Sequence, residues 1–183
     1  MSEQTIAQIR PLLVTNEPAD LGPGPRSGVM SERELNARLD SLPGKTNLSS
    51  TRKELVRSLL LLWHDHLDAS HNISQRIENA DGSFVHAIMH RREPDAWNSK
   101  YWWRRVGQHP AFPEIARRVG ELLARSRRRE EADLARRLVP GGDWDAPAFV
   151  EACDAARDAS LIRTLREIQR IETEVLLEYF CHE

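Results

Sequence analysis

From Leu55 to Leu67 the chain reads LVRSLLLLWHDHL, apolar nearly all the way round if it is wound into a helix. Such a helix has little surface to give to water, so it belongs at the centre of the molecule, covered on several sides. Elsewhere the apolar residues also recur at helical spacing, and no segment has the period-2 alternation of a strand. The pattern predicts an all-α protein: a single-domain helical bundle with a long central helix and an irregular N-terminal arm.

Turn chemistry divides the run. Residues 16–30, NEPADLGPGPRSGVM, hold three Pro and three Gly and read as an irregular arm, so residues 1–30 are set apart from an all-helical domain over 31–183. Ser31 with Glu34, and Thr51 with Glu54, are capping-box pairs that open two helices. The second helix is expected to run from Thr51 to about Asn79. Asp81 or Ser83 should cap the next helix, which ends at Glu93 because Pro94 disfavours helix before it. Asp95 opens a helix through WNSKYWWRRV that stops near Gly107. Pro113 starts another, continuing to about Leu138 before Gly141-Gly142, and Asp145 with Pro147 begins the next. DASLIRTLREIQRIETEVLLEYF forms the last, amphipathic helix.

A chain of 183 residues with 40% hydrophobic residues is long enough for one substantial core. Its net charge of −2 conceals an uneven distribution. Arg104 to Arg137 carries ten Arg against five acidic residues, and Gly141 to Glu183 carries ten acidic residues against four Arg. The two stretches are expected to neutralise each other by packing together. The run ARSRRREEADLARRL lacks the interleaved aromatics of a base-stacking surface, which argues against nucleic acid as a partner. No stretch is apolar for the length a bilayer requires, and MSEQTIAQIR lacks the order of a signal peptide. Cys153 and Cys181 form no CxxC and no pairing framework, so a cytoplasmic protein with reduced thiols is expected.

Five of the seven histidines fall between positions 64 and 93, HDHLDASHNISQRIENADGSFVHAIMHRRE. Two triplets share the spacing i, i+4, i+7: His64, Asp68, His71, and His86, His90, Glu93. On a helical wheel His64, Asp68, His71 and Gln75 form a polar stripe away from the core face of Leu59, Leu62, Trp63 and His66. His86, His90 and Glu93 form a second stripe. Folding the helices antiparallel about a turn between Ala80 and Asp81 levels His71 with His90 and Asp68 with Glu93, while Gln75 meets the height of His86. Imidazoles and carboxylates on facing helices are the donor set with which bundles hold zinc, manganese or iron. Asp68, His71, His90 and Glu93 are thus candidate ligands of one divalent metal, with His64, His86 and Gln75 behind them or as additional ligands. Without a metal, His90 and Glu93 form an acid–base pair. His66 reads as a hydrogen-bonded core histidine, Asp65 as a solvated or salt-bridged neighbour, and His109 as loop punctuation.

The segment that follows packs Arg91, Arg92, Lys100, Arg104 and Arg105 around Trp97, Tyr101, Trp102 and Trp103. Flat faces and guanidinium forks suit an anionic or sugar-like ligand. Arg92, Asn98 and Tyr101 are the expected substrate-binding residues, and Trp103 is assigned to the core. The block HAIMHRREPDAWNSKYWWRRVGQHP resembles a segment of a family of uncharacterised bacterial proteins, in which a similar His-x3-His-Arg-Arg-Glu run precedes Asp, Asn and Tyr-Trp positions. The resemblance covers about 25 residues and carries no activity; it implies only that the histidine helix and the Trp-rich helix form one unit.

Three readings follow. The first is a small enzyme acting on a polar or anionic small molecule; without a nucleotide loop, a flavin signature or a nucleophile elbow, hydrolysis, isomerisation or lyase chemistry suits it better than phosphoryl transfer. The second is a non-catalytic ligand- or metal-binding protein. The third is a homodimeric interaction protein in which the histidines form an internal hydrogen-bonding network.

Overall fold

Side-chain oxygens begin most of the helices by accepting a bond from a free backbone N–H of the first turn. In the computed structural model, which describes residues 2–42, 48–125 and 128–182, ten α-helices form and no strand is present among the described residues. They are α1 Ser2–Ile9, α2 Glu32–Asp40, α3 Ser50–Trp63, α4 Leu67–Ser74, α5 Ala80–Arg92, α6 Ala96–Val106, α7 Phe112–Ala124, α8 Arg129–Leu138, α9 Ala146–Ala155 and α10 Ala159–Cys181. Ser31, Asp95 and Asp145 cap α2, α6 and α9 at the expected positions. Ser49 caps α3, just ahead of the expected Thr51 box, and Asn79 caps α5 in place of Asp81 or Ser83.

The fold is all-α, built round one core. Leu55, Leu59, Leu60 and Leu61 of α3 are buried with Phe84 of α5, Ile115 of α7, Phe149 of α9, and Leu165, Leu176 and Phe180 of α10. The apolar run of α3 is thus covered on several sides, as its composition demands. The longest helix is α10, at 23 residues. The expected single helix from Thr51 to about Asn79 is broken after Trp63, and the run expected from Pro113 to Leu138 is two helices, α7 and α8. Residues 2–30 contain α1 and a 3₁₀ turn at Arg10–Leu13 ahead of the Pro- and Gly-rich stretch, and Ile9, Leu12 and Ala19 are buried in the molecule.

The break between α3 and α4 has a physical cause. Asp65 adopts φ +67°, the left-handed region that an Asp tolerates better than a bulky residue. Its carboxylate is fully buried between Arg26, at 3.0 Å, and Arg92, at 2.6 Å, and it also accepts the backbone N–H of Arg26 at 2.8 Å. The N-terminal segment lies directly over this corner. Gly24 has φ +83°, and a Cβ there would stand 2.8 Å from the Asp65 carboxyl carbon. His64 donates from Nε2 to the carbonyl of Leu12 (2.7 Å) and accepts the Met30 N–H on Nδ1 (3.2 Å). His66 bonds the Met30 carbonyl through Nε2, 2.8 Å away, at the start of α4; it is half-buried, not fully in the core.

The charge pattern is resolved only in part by contact between the two stretches. Arg118 of α7 reaches Glu178 of α10 at 2.5 Å, while Glu151 of α9 pairs with Lys100, which lies ahead of the basic stretch, at 2.8 Å. Arg117 instead pairs with Glu114 and Glu121 of its own helix. No helix among the described residues is long and apolar enough to cross a membrane.

Candidate functional site

The hairpin of α4 and α5 turns tightly because residue 82 has no side chain. A Cβ on Gly82, in the first turn of α5, would sit 2.0 Å from the carbonyl oxygen of Ile77. With glycine there, α5 starts hard against the end of the hairpin, capped by Asn79, which accepts the Gly82 N–H at 2.9 Å. The i, i+4 spacing of His86 and His90 then puts both rings on the side of α5 that faces α4, where His71 meets them.

The three imidazoles form one cluster. Ring centroids lie 4.6 Å apart for His71 and His86, 5.6 Å for His71 and His90, and 4.8 Å for His86 and His90. One ring nitrogen from each falls within 4.8 Å of the others, spacing that an ion between them would close. His86 and His90 are buried and His71 is partly exposed, so the cluster opens to solvent on the α4 side.

Each ring on α5 is held differently. The Nδ1 atom of His90 lies 2.9 Å from Oε2 of Glu93, so Nδ1–H donates to the carboxylate and Nε2 is the acceptor nitrogen of the ring. The Asn98 amide nitrogen, 3.1 Å from that Nε2, is the group beside it. His86 stacks on Trp102 with centroids 3.9 Å apart and planes 16° apart. Its Nδ1 is buried with no hydrogen-bond partner.

Electrostatics keep these rings neutral. Burial, reinforced by His90 and His71, pushes the His86 imidazole down to about 3. Burial likewise lowers His90, although Glu93 opposes it. Neutral imidazoles keep a lone pair each, which is the form a metal binds. A set of three imidazole nitrogens suits zinc, or iron, better than manganese, which favours oxygen. Zinc sites with three protein ligands leave a position for water or substrate. The residues present therefore fit a divalent metal.

The structure differs from the expected ligand set in instructive ways. It brings His71, His86 and His90 together, so His86 moves from behind the ligands into the cluster. Asp68 is exposed and stands outside it, and Glu93 contacts His90 from behind on its Nδ1 side. His64 is a full α3–α4 break away, buried against Leu12 and Met30, and Gln75 is exposed and bonded to Asn72. Two differences are the reason: the helix breaks at Asp65, which takes His64 off the helix of His71, and the hairpin turns at 75–79, not between Ala80 and Asp81, so the expected levels slide along α5. Asn98 takes part in the cluster, and Tyr101 stands at its edge, in edge contact with Trp102. Arg92 does not face a ligand. Its guanidinium is 1% exposed and bonds the carbonyls of Asp20, Gly22 and Leu62 and the carboxylate of Asp65.

Two functions of the HRRE run were invisible to spacing alone. Successive helical residues project about 100° apart. Hence His90 points to the cluster, Arg91 to a buried Glu172 on α10 (2.5 Å), and Arg92 to the α3–α4 corner, while Glu93 turns back to His90. His109, read as loop punctuation, is buried and bonded to Asp81 at 2.9 Å, fixing the N-terminal end of α5. Asp65 carries the corner. The signal for His86 was present in its i, i+4 relation to His90; the roles of Arg91, Asp65 and His109 depend on partners 81, 27 and 28 residues away.

The chain matches no protein-family model, no curated protein and no solved structure.

Proposed function

We propose that the protein is a small metal-dependent enzyme in which His71, His86 and His90 hold one divalent ion, with zinc the best fit to the donor set. The observation that carries this reading is the convergence of one nitrogen from each of three imidazoles within 4.8 Å of one another, two of them buried and held neutral. A bound divalent ion supplies a water of lowered pKa and a Lewis acid for an oxygen of the substrate. The chain's own groups supply the rest. Glu93 fixes the tautomer and angle of His90 through Nδ1, the arrangement by which carboxylates tune histidine ligands. Asn98 brings a neutral donor to the same edge, and Tyr101, exposed beside Trp102, is available to bind substrate. The substrate is a polar or anionic small molecule, and hydrolysis, isomerisation and lyase chemistry are the reaction classes these groups serve. Free Cys153 and Cys181, both pushed up to about 12 chiefly by burial, are inert thiols that agree with a reducing compartment such as the cytoplasm.

The test is elemental analysis of protein purified without a histidine tag, paired with thermal unfolding in added Zn²⁺. The expected outcome is close to one ion per chain, a raised Tm on addition of Zn²⁺, and loss of both in His71→Ala and His86→Ala. Metal-free protein whose Tm ignores Zn²⁺, with both variants folded as before, would leave a structural histidine network. A screen of polar and anionic substrates on the loaded protein then separates an enzyme from a metal-binding protein without turnover.

A further inference from the structure

Among the described residues, three large hydrophobic side chains are exposed: Val14, Trp97 at 76% and Tyr101 at 39%. Two of the three stand on α6, the helix that walls the histidine cluster. The path between them is continuous. Trp102 stacks on His86, Tyr101 meets Trp102 edge-on at 5.5 Å, and Trp97 lies parallel to Tyr101 with centroids 6.4 Å apart and planes 12° apart.

Arginines flank this aromatic lip. The Arg104 guanidinium lies over Tyr101 at 5.8 Å and that of Arg105 over Trp102 at 5.2 Å. Neither has a carboxylate partner among the described residues, whereas Arg117, Arg118 and Arg136 nearby in the chain all do. The acidic groups of the site, Glu93 and Asp95, are at the opposite end of α6 from the two arginines. An exposed indole and phenol joined to the polar cluster through Trp102, with two guanidiniums that have no carboxylate partner among the described residues at one end, match a ligand that has a flat face and a negative end.

We infer that this lip is the substrate-binding face of the metal site and takes a planar ring that carries an oxyanion, either a carboxylate or a phosphate. The inference rests on the metal reading of the triad: the ring lies on Trp97 and Tyr101, the oxyanion is held by Arg104 and Arg105, and the reacting part reaches the triad past Trp102. It sharpens "polar or anionic" to an aromatic acid, and it gives the exposure of Trp97 a reason.

Binding to the Zn²⁺-loaded full chain is followed by tryptophan fluorescence, and metal occupancy is followed separately by the visible absorption of the Co²⁺-loaded protein. The probes are benzoate and phenyl phosphate, with acetate and inorganic phosphate as anions without a ring and benzamide as a ring without charge. Benzoate or phenyl phosphate is expected to bind about 10-fold more tightly than each control, and the better of the two identifies the oxyanion. Trp97→Ala and Arg105→Ala should each weaken that ligand by about 5-fold while leaving the Co²⁺ spectrum unchanged. Equal binding of ring and ringless anions, or no effect of Trp97→Ala, overturns the inference alone. So does a protein that is dimeric by light scattering and becomes monomeric in Trp97→Ala, since a second copy then covers the lip. Failure of Co²⁺ to bind overturns the metal reading and this inference with it.

Discussion

At the residue scale the contrast between His86 and His90 is the informative one. His90 has a carboxylate on Nδ1, the usual means of orienting a histidine ligand, whereas His86 has no hydrogen bond on that atom and is oriented by the face of Trp102. Trp102→Leu should therefore lower Zn²⁺ affinity by roughly 10-fold, the scale seen when a ligand loses its orienting partner, and Trp102→Phe should restore most of it. Competition with a chromophoric chelator measures both. A Leu variant with unchanged affinity would show that packing by Trp102 does not set the ring. The buried imidazoles also fix a pH dependence. His86, His90 and His64 have folded-state pKa values below the ordinary value of about 6.5, so the unfolded chain takes up protons first as the pH falls. Their stabilisation is complete above about pH 6.5 and is lost as the pH falls below it, for His86 down to about 3, each group contributing at most about 1.4 kcal/mol per pH unit. Urea unfolding of metal-free protein between pH 7 and about 5 lies above the usual carboxylate range and reads the histidines alone. His86→Leu should flatten that slope; an unchanged slope would remove His86 from the set.

At the scale of elements, the two turns that position the cluster explain how much of it could be read in advance. That α4 and α5 pair as a hairpin was legible because i, i+4 histidines must share a face, but the turn lies at residues 75–79, ahead of the expected centre between Ala80 and Asp81. The prediction it carries is Gly82→Ala. Its Cβ would need the space of the Ile77 carbonyl oxygen, so the hairpin must open, with a cost of about 2–3 kcal/mol and a fall in metal affinity. Equal stability of the Ala variant in urea would mean that the hairpin end is loose. The α3–α4 corner was not legible. HDHLDASH continues a helical pattern without Gly or Pro, and what ends the helix is a buried carboxylate whose cations are Arg26 and Arg92, 39 and 27 residues away. Local periodicity has no access to such a partner, so an unbroken wheel drew His64 into the site; the turn, expected between Ala80 and Asp81 but lying at 75–79, levelled Asp68 with Glu93 and left His86 at the margin. Asp65→Ala leaves Arg92 buried without its counter-charge and should cost about 3–5 kcal/mol in urea unfolding.

Across the whole molecule, the C-terminal turn of α5 is the point from which three regions are tied. Arg92 holds the α3–α4 corner and the N-terminal segment, His90 and Glu93 form one edge of the cluster, and Arg91 reaches α10. The last tie is an ion pair with side chains 1% and 0% exposed, in which Arg91 bonds both oxygens of Glu172 and lies 4.3 Å over the ring of Phe149. Gln169, one turn earlier on α10, accepts from Arg91 and donates to the carbonyls of Ala19 and Asp20, so the same network also reaches the N-terminal segment. Attraction inside a dry core is offset by the cost of removing both charges from water, and such a pair is weak as a source of net stability but severe when halved. Glu172→Leu should thus cost about 3–5 kcal/mol, because a guanidinium remains buried beside Phe149 without its partner. Arg91→Met combined with Glu172→Leu should recover most of that loss, since methionine and leucine fill the space without a charge. If the pair serves only to join α5 to α10, the double variant keeps its Zn²⁺ affinity within about 2-fold, because Arg91 and His90 point about 100° apart on the same turn. If it also sets the angle of α5 against α4, the double variant regains stability and still binds Zn²⁺ more weakly, as the i, i+4 histidines no longer meet His71 squarely. Urea unfolding and chelator competition on the single and double variants separate the two outcomes, and a single variant that loses less than 1 kcal/mol would show that water reaches the pair.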